Sequence, residues 1–149
     1  MSEFYFIILI ISIIAVLCVV LGVITLLKKR KSTKDYDMME GRDFEYFCAE
    51  LLEKRGFLEV EVTKGSGDNG VDILAEKDGV TYAIQCKRYE ESVGVKAVQE
   101  AYAGRDYYDR MVGVVMSNQY FTKNAVQMAQ KLKIMLWDRG YLEEMIEEE

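Results

Sequence analysis

A tight turn at Asp78-Gly79 constrains this chain more than any other feature of its sequence. The pair accepts positive φ at both central positions of a two-residue type I′ hairpin loop. If those two residues form the loop, Lys77 faces Val80 and the register of the hairpin is fixed. Asp72 then lies directly opposite Gln85, their Cβ atoms about 5 Å apart. Lys87 is two residues beyond Gln85, so strand alternation puts it on the same face. One face carries Asp72, Gln85 and Lys87, and the other carries Val71, Ile73, Ala75, Tyr82, Ile84 and Cys86, an apolar set that wants a core. A carboxylate, an amide carbonyl and an ammonium converging at one end of a hairpin can hold a divalent cation and a phosphate. The same alternation also describes an ordinary solvated strand face, so the flanking elements have to decide.

Upstream, Phe44, Phe47, Cys48, Leu51 and Leu52 recur at helical spacing, and the spacing predicts an amphipathic helix over residues 41–55, closed by Gly56. Glu45 sits at the border of that stripe, where an acid reaches a nearby site or simply favours the first helical turn. Leu58–Thr63 alternates like a strand. Gly65-Ser66-Gly67-Asp68-Asn69-Gly70 matches G-x-G-x-x-G. A dinucleotide fingerprint has to open a helix, however, and here a strand follows at once. The glycines instead let the chain turn tightly into the Asp72 strand. Downstream, a helix is expected over residues 93–108, with Val95, Val98, Ala101 and Tyr102 inward. A strand buried on both faces follows at 111–116. Next come a helix over 121–132 capped by Thr122, a strand at 134–137 and a terminal helix over 141–146.

Composition narrows the chemistry. The chain has no His and no Pro, which removes Ser-His and Cys-His catalysis and the usual zinc sites. Cys18, Cys48 and Cys86 show no pairing pattern and read as buried thiols in a reducing compartment. Hydrolysis would have to use carboxylates, lysine or a metal held by oxygen. Residues 35–149 carry fourteen basic and twenty-four acidic side chains, a net of −10, which is unfavourable for binding nucleic acid.

Phe4–Leu27 is an uncharged stretch of 24 residues, about 36 Å long as a helix and enough for a hydrocarbon core. Lys28-Lys29-Arg30-Lys31 and Lys34 follow it. A basic cluster on that side predicts a single-pass anchor, N-terminus outside, with the rest of the chain in the cytoplasm. The sequence therefore divides into an anchor at 1–27, a basic juxtamembrane tether at 28–40 and an α/β domain at 41–149.

Phe44-Glu45, Leu51-Leu52 and Gly56-Phe57, then Gly67-Asp68-Asn69-Gly70-Val71-Asp72-Ile73, then Ile84-Gln85-Cys86-Lys87-Arg88-Tyr89, and later Phe121-Thr122 with Ala125, resemble the Mrr-like branch of the PD-(D/E)xK restriction endonuclease superfamily. The likeness covers roughly residues 40–146. It implies a restriction-endonuclease-like α/β core: a helix, a three-stranded antiparallel meander, then helix, strand, helix, strand, helix; the uncharged stretch at Phe4–Leu27 sets one transmembrane helix in front of it. It also implies metal-dependent hydrolysis of DNA phosphodiesters, in restriction of foreign or modified DNA. By resemblance, Asp72 is the metal-binding acid, Gln85 stands where most of the superfamily has an acid, Lys87 is the signature lysine, and Glu45 is the acid of the first helix. The expected ligands of Mg²⁺ (or Mn²⁺) are Asp72, the Gln85 side-chain oxygen and the Cys86 backbone carbonyl, with Glu45 holding a metal-bound water. The expected partners are DNA, the membrane through residues 4–27, and a second copy of the chain. The alternative is a catalytically weak or inactive module of the same fold, binding DNA or a protein at the membrane.

Overall fold

The computed structural model of the protein describes residues 5, 11–21, 35–64 and 69–147. It contains two compact units, Met1–Asp35 and Tyr36–Glu149. In the first, residues 11–21 are helical, and their side chains are exposed. Among the described residues no helix is long and apolar enough to cross a membrane. Most of the rest of the stretch expected to form an anchor, the basic cluster at 28–34 and the glycine-rich stretch at 65–68 lie outside the described residues.

The second unit is an α/β domain with one five-stranded sheet. Helix α1 (Gly41–Lys54) leads into strands β1 (Leu58–Val62), β2 (Ile73–Lys77) and β3 (Val80–Lys87). Helix α2 (Val95–Tyr107) follows, then β4 (Val112–Ser117), α3 (Lys123–Leu132), β5 (Ile134–Trp137) and α4 (Arg139–Glu147). The strands lie in sequence order. The first three pair antiparallel, and β3, β4 and β5 run parallel. The element order expected from sequence is the one observed.

The β2–β3 register is the one the turn dictates, from Lys77 opposite Val80 to Ile73 opposite Ile84. Asp78 and Gly79 take φ of 53° and 77°. Alternation along these strands feeds two layers. Ile73, Ala75, Ile84 and Cys86 join Phe44, Cys48, Leu51 and Leu52 of α1 in the larger core, together with Val114, Met116, Trp137 and Leu142. Val115 and Ile134 pack instead with Ala97, Val98 and Ala101 of α2 and Ala125 and Ala129 of α3. Strand β4 is thus buried on both faces, as its unbroken apolar run requires.

Three local expectations change. Val71 does not follow Ile73 into the α1 core. It packs with Leu74 and Ala83, because Asn69 and Gly70 take φ of 51° and 78° just before it and break the alternation. The inner face of α2 is Ala97, Val98, Ala101 and Gly104, whereas Tyr102 is exposed and Val95 only partly covered. Small residues face the sheet because the 69–71 turn presses on this helix. A Cβ on Gly104 would lie 2.3 Å from Val71 Cγ2 and 2.9 Å from the Asn69 carbonyl oxygen. Finally, Tyr36 is 1% exposed within the α1 core, so the compact unit begins inside the stretch assigned to the tether. Asp37 fastens this entry segment through Arg139, at 3.0 and 2.8 Å.

An alanine inside a helix normally gains about 1 kcal/mol over glycine. At Gly104 the overlap with a stiff valine and a backbone carbonyl should outweigh that gain, at about 1–3 kcal/mol for an overpacked site. Gly104→Ala is therefore expected to lower the urea midpoint of the full-length chain. Gly41→Ala, at a position with nothing within 4 Å of the added Cβ, should leave it unchanged or raise it. Equal midpoints for the two variants would show that the turn and α2 are not closely packed.

Candidate active site

The site starts from Asp72, the residue just before β2. Its backbone is tied on both sides: its N–H donates to the Ile84 carbonyl at 2.9 Å, and its own carbonyl accepts from Thr63 N at 2.9 Å. The side chain turns into the strand pair. Oδ2 accepts from the Cys86 backbone N–H at 2.7 Å and from Gln85 Nε2. Asp72 is 7% exposed and Gln85 4%. That removes the solvated-face reading, since a carboxylate taken out of water requires such donors.

Gln85 spends its amide N–H on Asp72, with the Cys86 carbonyl 3.5 Å from the same nitrogen. Its other atom, Oε1, is buried and has no hydrogen-bond donor. This oxygen points toward Gly70: a Cβ built there would lie 3.2 Å from it. An orphaned buried amide oxygen is uncommon enough to need an explanation.

Lys87, two residues on, forms an ion pair with Glu100 of α2, Nζ to Oε2 at 2.9 Å. Burial alone would lower the Lys87 pKa. The hydrogen bond and charge of Glu100, helped by Tyr89 and Asp72, more than offset this and hold the ammonium above the ordinary lysine range. Glu45 comes from α1 on the opposite layer. Arg42 holds its carboxylate at 2.7 Å, and the Arg42 guanidinium also donates to the Thr63 carbonyl at 2.9 Å. Thr63 Oγ1 donates in turn to the Val71 carbonyl at 2.7 Å. Glu45 is therefore linked to the Asp72 turn through Arg42 and Thr63.

Sequence reasoning missed two groups. Glu100 carries a faint signal: it lies three residues after Ala97 and four before Gly104, beside the small-residue face that meets the sheet. Asn118 carries none. From the end of β4 it accepts from Tyr89 N at 2.9 Å and donates to the Tyr89 carbonyl and to Asp37, both at 2.9 Å, bracing the chain just past Lys87.

The Mrr_cat family of restriction endonucleases matches residues 36–146 of the chain. The chain belongs to the Mrr restriction endonuclease family. No curated protein matches it. Among solved structures, a protein of unknown function, AF1548, is similar at 24% identity and a TM-score of 0.63, over 73% of this chain and 66% of that one. The DNA modification-dependent restriction endonuclease AspBHI matches at 17% identity and a TM-score of 0.54, over 80% of this chain and 33% of its own. MspJI, a restriction endonuclease solved in complex with a 27-mer oligonucleotide, matches at 18% and 0.53, over 80% and 30%. The Mrr-family chain thus spans about two thirds of the first and a third of the other two. These likenesses are to the fold.

Among the described residues of this Mrr-family domain, no three His, Cys, Asp or Glu side chains lie close enough to hold a metal ion. What the site offers is one carboxylate, the unpartnered Oε1 of Gln85 and the Cys86 carbonyl. That donor set is all oxygen and mostly neutral. It fits Mg²⁺, which keeps several of its waters and needs few protein ligands, better than a thiolate- or imidazole-seeking metal.

The Cys86 thiol is no nucleophile. Its side chain turns away from Asp72 into the α1 core, where a hydrogen bond with Cys48, burial, and the negative charges of Asp72 and Glu45 all push its pKa up. In a Cys18→Ser background, Cys48 and Cys86 should both resist an aromatic disulfide reagent in the native protein and both react once it is denatured. Rapid native labelling of either thiol would contradict this packing.

Proposed function

We propose that the protein is a metal-dependent DNA endonuclease held at the membrane. The observation that carries this reading is the buried Asp72–Gln85 pair with its unpartnered amide oxygen, with Lys87 two residues beyond Gln85 on β3. Asp72, Gln85 Oε1 and the Cys86 carbonyl would hold Mg²⁺ or Mn²⁺. Such an ion supplies a water acidified enough to attack phosphorus at neutral pH and a Lewis acid for the phosphoryl oxygen. Lys87, kept as an ammonium by Glu100, donates to the non-bridging phosphate oxygens as charge gathers on them. Glu45, held by Arg42, orients water at the edge of the site. Asp72 is held in place by the Cys86 N–H and the Gln85 amide.

Family membership and the fold shared with one DNA modification-dependent restriction endonuclease support DNA as the substrate, and foreign or modified DNA as its source. Cutting both strands from a single centre of this kind calls for a second copy of the chain. The uncharged stretch Phe4–Leu27 and the basic residues after it support a single-pass anchor, N-terminus outside and nuclease domain in the cytoplasm.

A second reading rests on the net charge of −10 over residues 35–149 and the neutral Gln85: a module of the same fold that binds DNA or a protein without cutting. Plasmid cleavage by the full-length chain separates the two. Nicking or linearisation is expected with Mg²⁺ or Mn²⁺ and not with chelator. Asp72→Ala and Lys87→Ala should each reduce the rate about 100-fold or more, with circular dichroism unchanged. An Asp72→Ala protein that cuts at the wild-type rate would sink the nuclease reading. Retention of the chain in membranes after an alkaline wash checks the anchor, and its release into the soluble fraction would remove it.

A further inference from the structure

The strand pair leaves this site short of negative charge. Gln85 is neutral, the charges of Asp72 and Lys87 cancel, and Glu45 is already matched by Arg42 at 2.7 Å. A divalent cation would meet a neighbourhood with no net charge if these were the only groups present. A further acid comes from a different element. Glu100 of α2 sets Oε2 2.9 Å from Lys87 Nζ. Its other oxygen lies 3.8 Å from Lys96 Nζ, on a side chain 86% exposed, so that contact is weak.

Glu100 also forms part of the wall of the site. A Cβ on Gly70 would lie 2.9 Å from Glu100 Cβ, 3.1 Å from the Glu100 carbonyl and 3.2 Å from Gln85 Oε1. The turn before Asp72, the orphaned amide oxygen and Glu100 therefore meet at one place, which only a glycine at position 70 allows.

We propose that Glu100 is a positioning residue of the active site: from α2 it holds the Lys87 ammonium in place and supplies the negative charge that Gln85 does not. The proposal rests on the nuclease reading above. The competing role is a purely structural one, an ion pair tacking α2 to β3. That role is small here, because Ala97, Val98 and Ala101 already bury α2 against the sheet and a part-exposed pair adds little. Glu100→Gln keeps the shape and a hydrogen-bonding group for Lys87 and removes only the charge. Glu100→Asp keeps the charge and shortens the reach.

The experiment titrates Mn²⁺ into the full-length protein, once by calorimetry without DNA and once in the plasmid assay. Glu100→Gln is expected to weaken Mn²⁺ binding and to cut cleavage at limiting metal about 10- to 100-fold, the range typical of residues that support a metal's ligands. Raising Mn²⁺ should recover part of the rate, and Glu100→Asp should retain more than Glu100→Gln. Lys96→Gln, which removes only the exposed contact, should match wild type. Wild-type binding and cleavage by Glu100→Gln would overturn the proposal alone. So would loss of activity in parallel with thermal stability at an unchanged metal midpoint, which marks a structural role. A wild-type protein that neither binds Mn²⁺ nor cuts would overturn the nuclease reading first, and this proposal with it.

Discussion

The carboxylate of Asp72 is buried where β2 and β3 meet, and two donors of β3 close on one of its oxygens. A buried carboxylate costs several kcal/mol unless such donors are present. The chain supplies them from adjacent residues, the Gln85 amide and the Cys86 backbone N–H, and the hairpin register alone makes both available. A slip of one residue would turn Gln85 toward the α1 core and leave an unpaired charge inside the protein. Register, burial and site are in this sense one constraint, and the Asp78-Gly79 turn sets it.

Around that constraint the fold is packed tightly on the α2 side. Gly70 and Gly104 remove the side chains that would keep the 69–71 turn away from the helix. The result is a short, closely supported entry into β2 instead of a loop that could swing. The Glu45–Arg42–Thr63 linkage does the same from the α1 side. Groups held this way lose little entropy on meeting a ligand, which is the condition for electrostatic help in a transition state.

What could be read in the sequence follows from how local each signal is. The Asp78-Gly79 turn and the alternation beside it involve contiguous residues, so the pairing of β2 with β3 as far as Ile73 and Ile84, and with it the nearness of Asp72 to Gln85, was legible without coordinates. The α1 stripe and the two-sided burial of β4 were legible for the same reason. The place of Val71 was not, because two consecutive left-handed residues reset its side. The inward face of α2 was misjudged at Tyr102, since hydrophobicity does not reveal that a glycine and two alanines are needed for close approach. Tyr36 and Asn118 find their partners 107 and 29 residues away, Glu143 and Tyr89 respectively, and nothing near either in sequence announces this. Glu100 meets Lys87 only once the crossover from β3 to β4 has laid α2 over the sheet.

The charge pattern bears on how such a domain engages a polyanion. Its net charge of −10 repels phosphate, and several of its cations are already committed: Arg42 to Glu45, Lys87 to Glu100, Arg139 to Asp37. Ion-paired cations add little positive potential at a distance. On the proposed reading, then, attraction for the scissile phosphate falls to the bound divalent ion, which becomes a condition for docking DNA as well as for chemistry. Glutamine at position 85 suits that arrangement. It gives up some metal affinity but keeps one more negative charge away from the approaching phosphate, while Glu100 places its compensating charge against the Lys87 ammonium at the wall of the site.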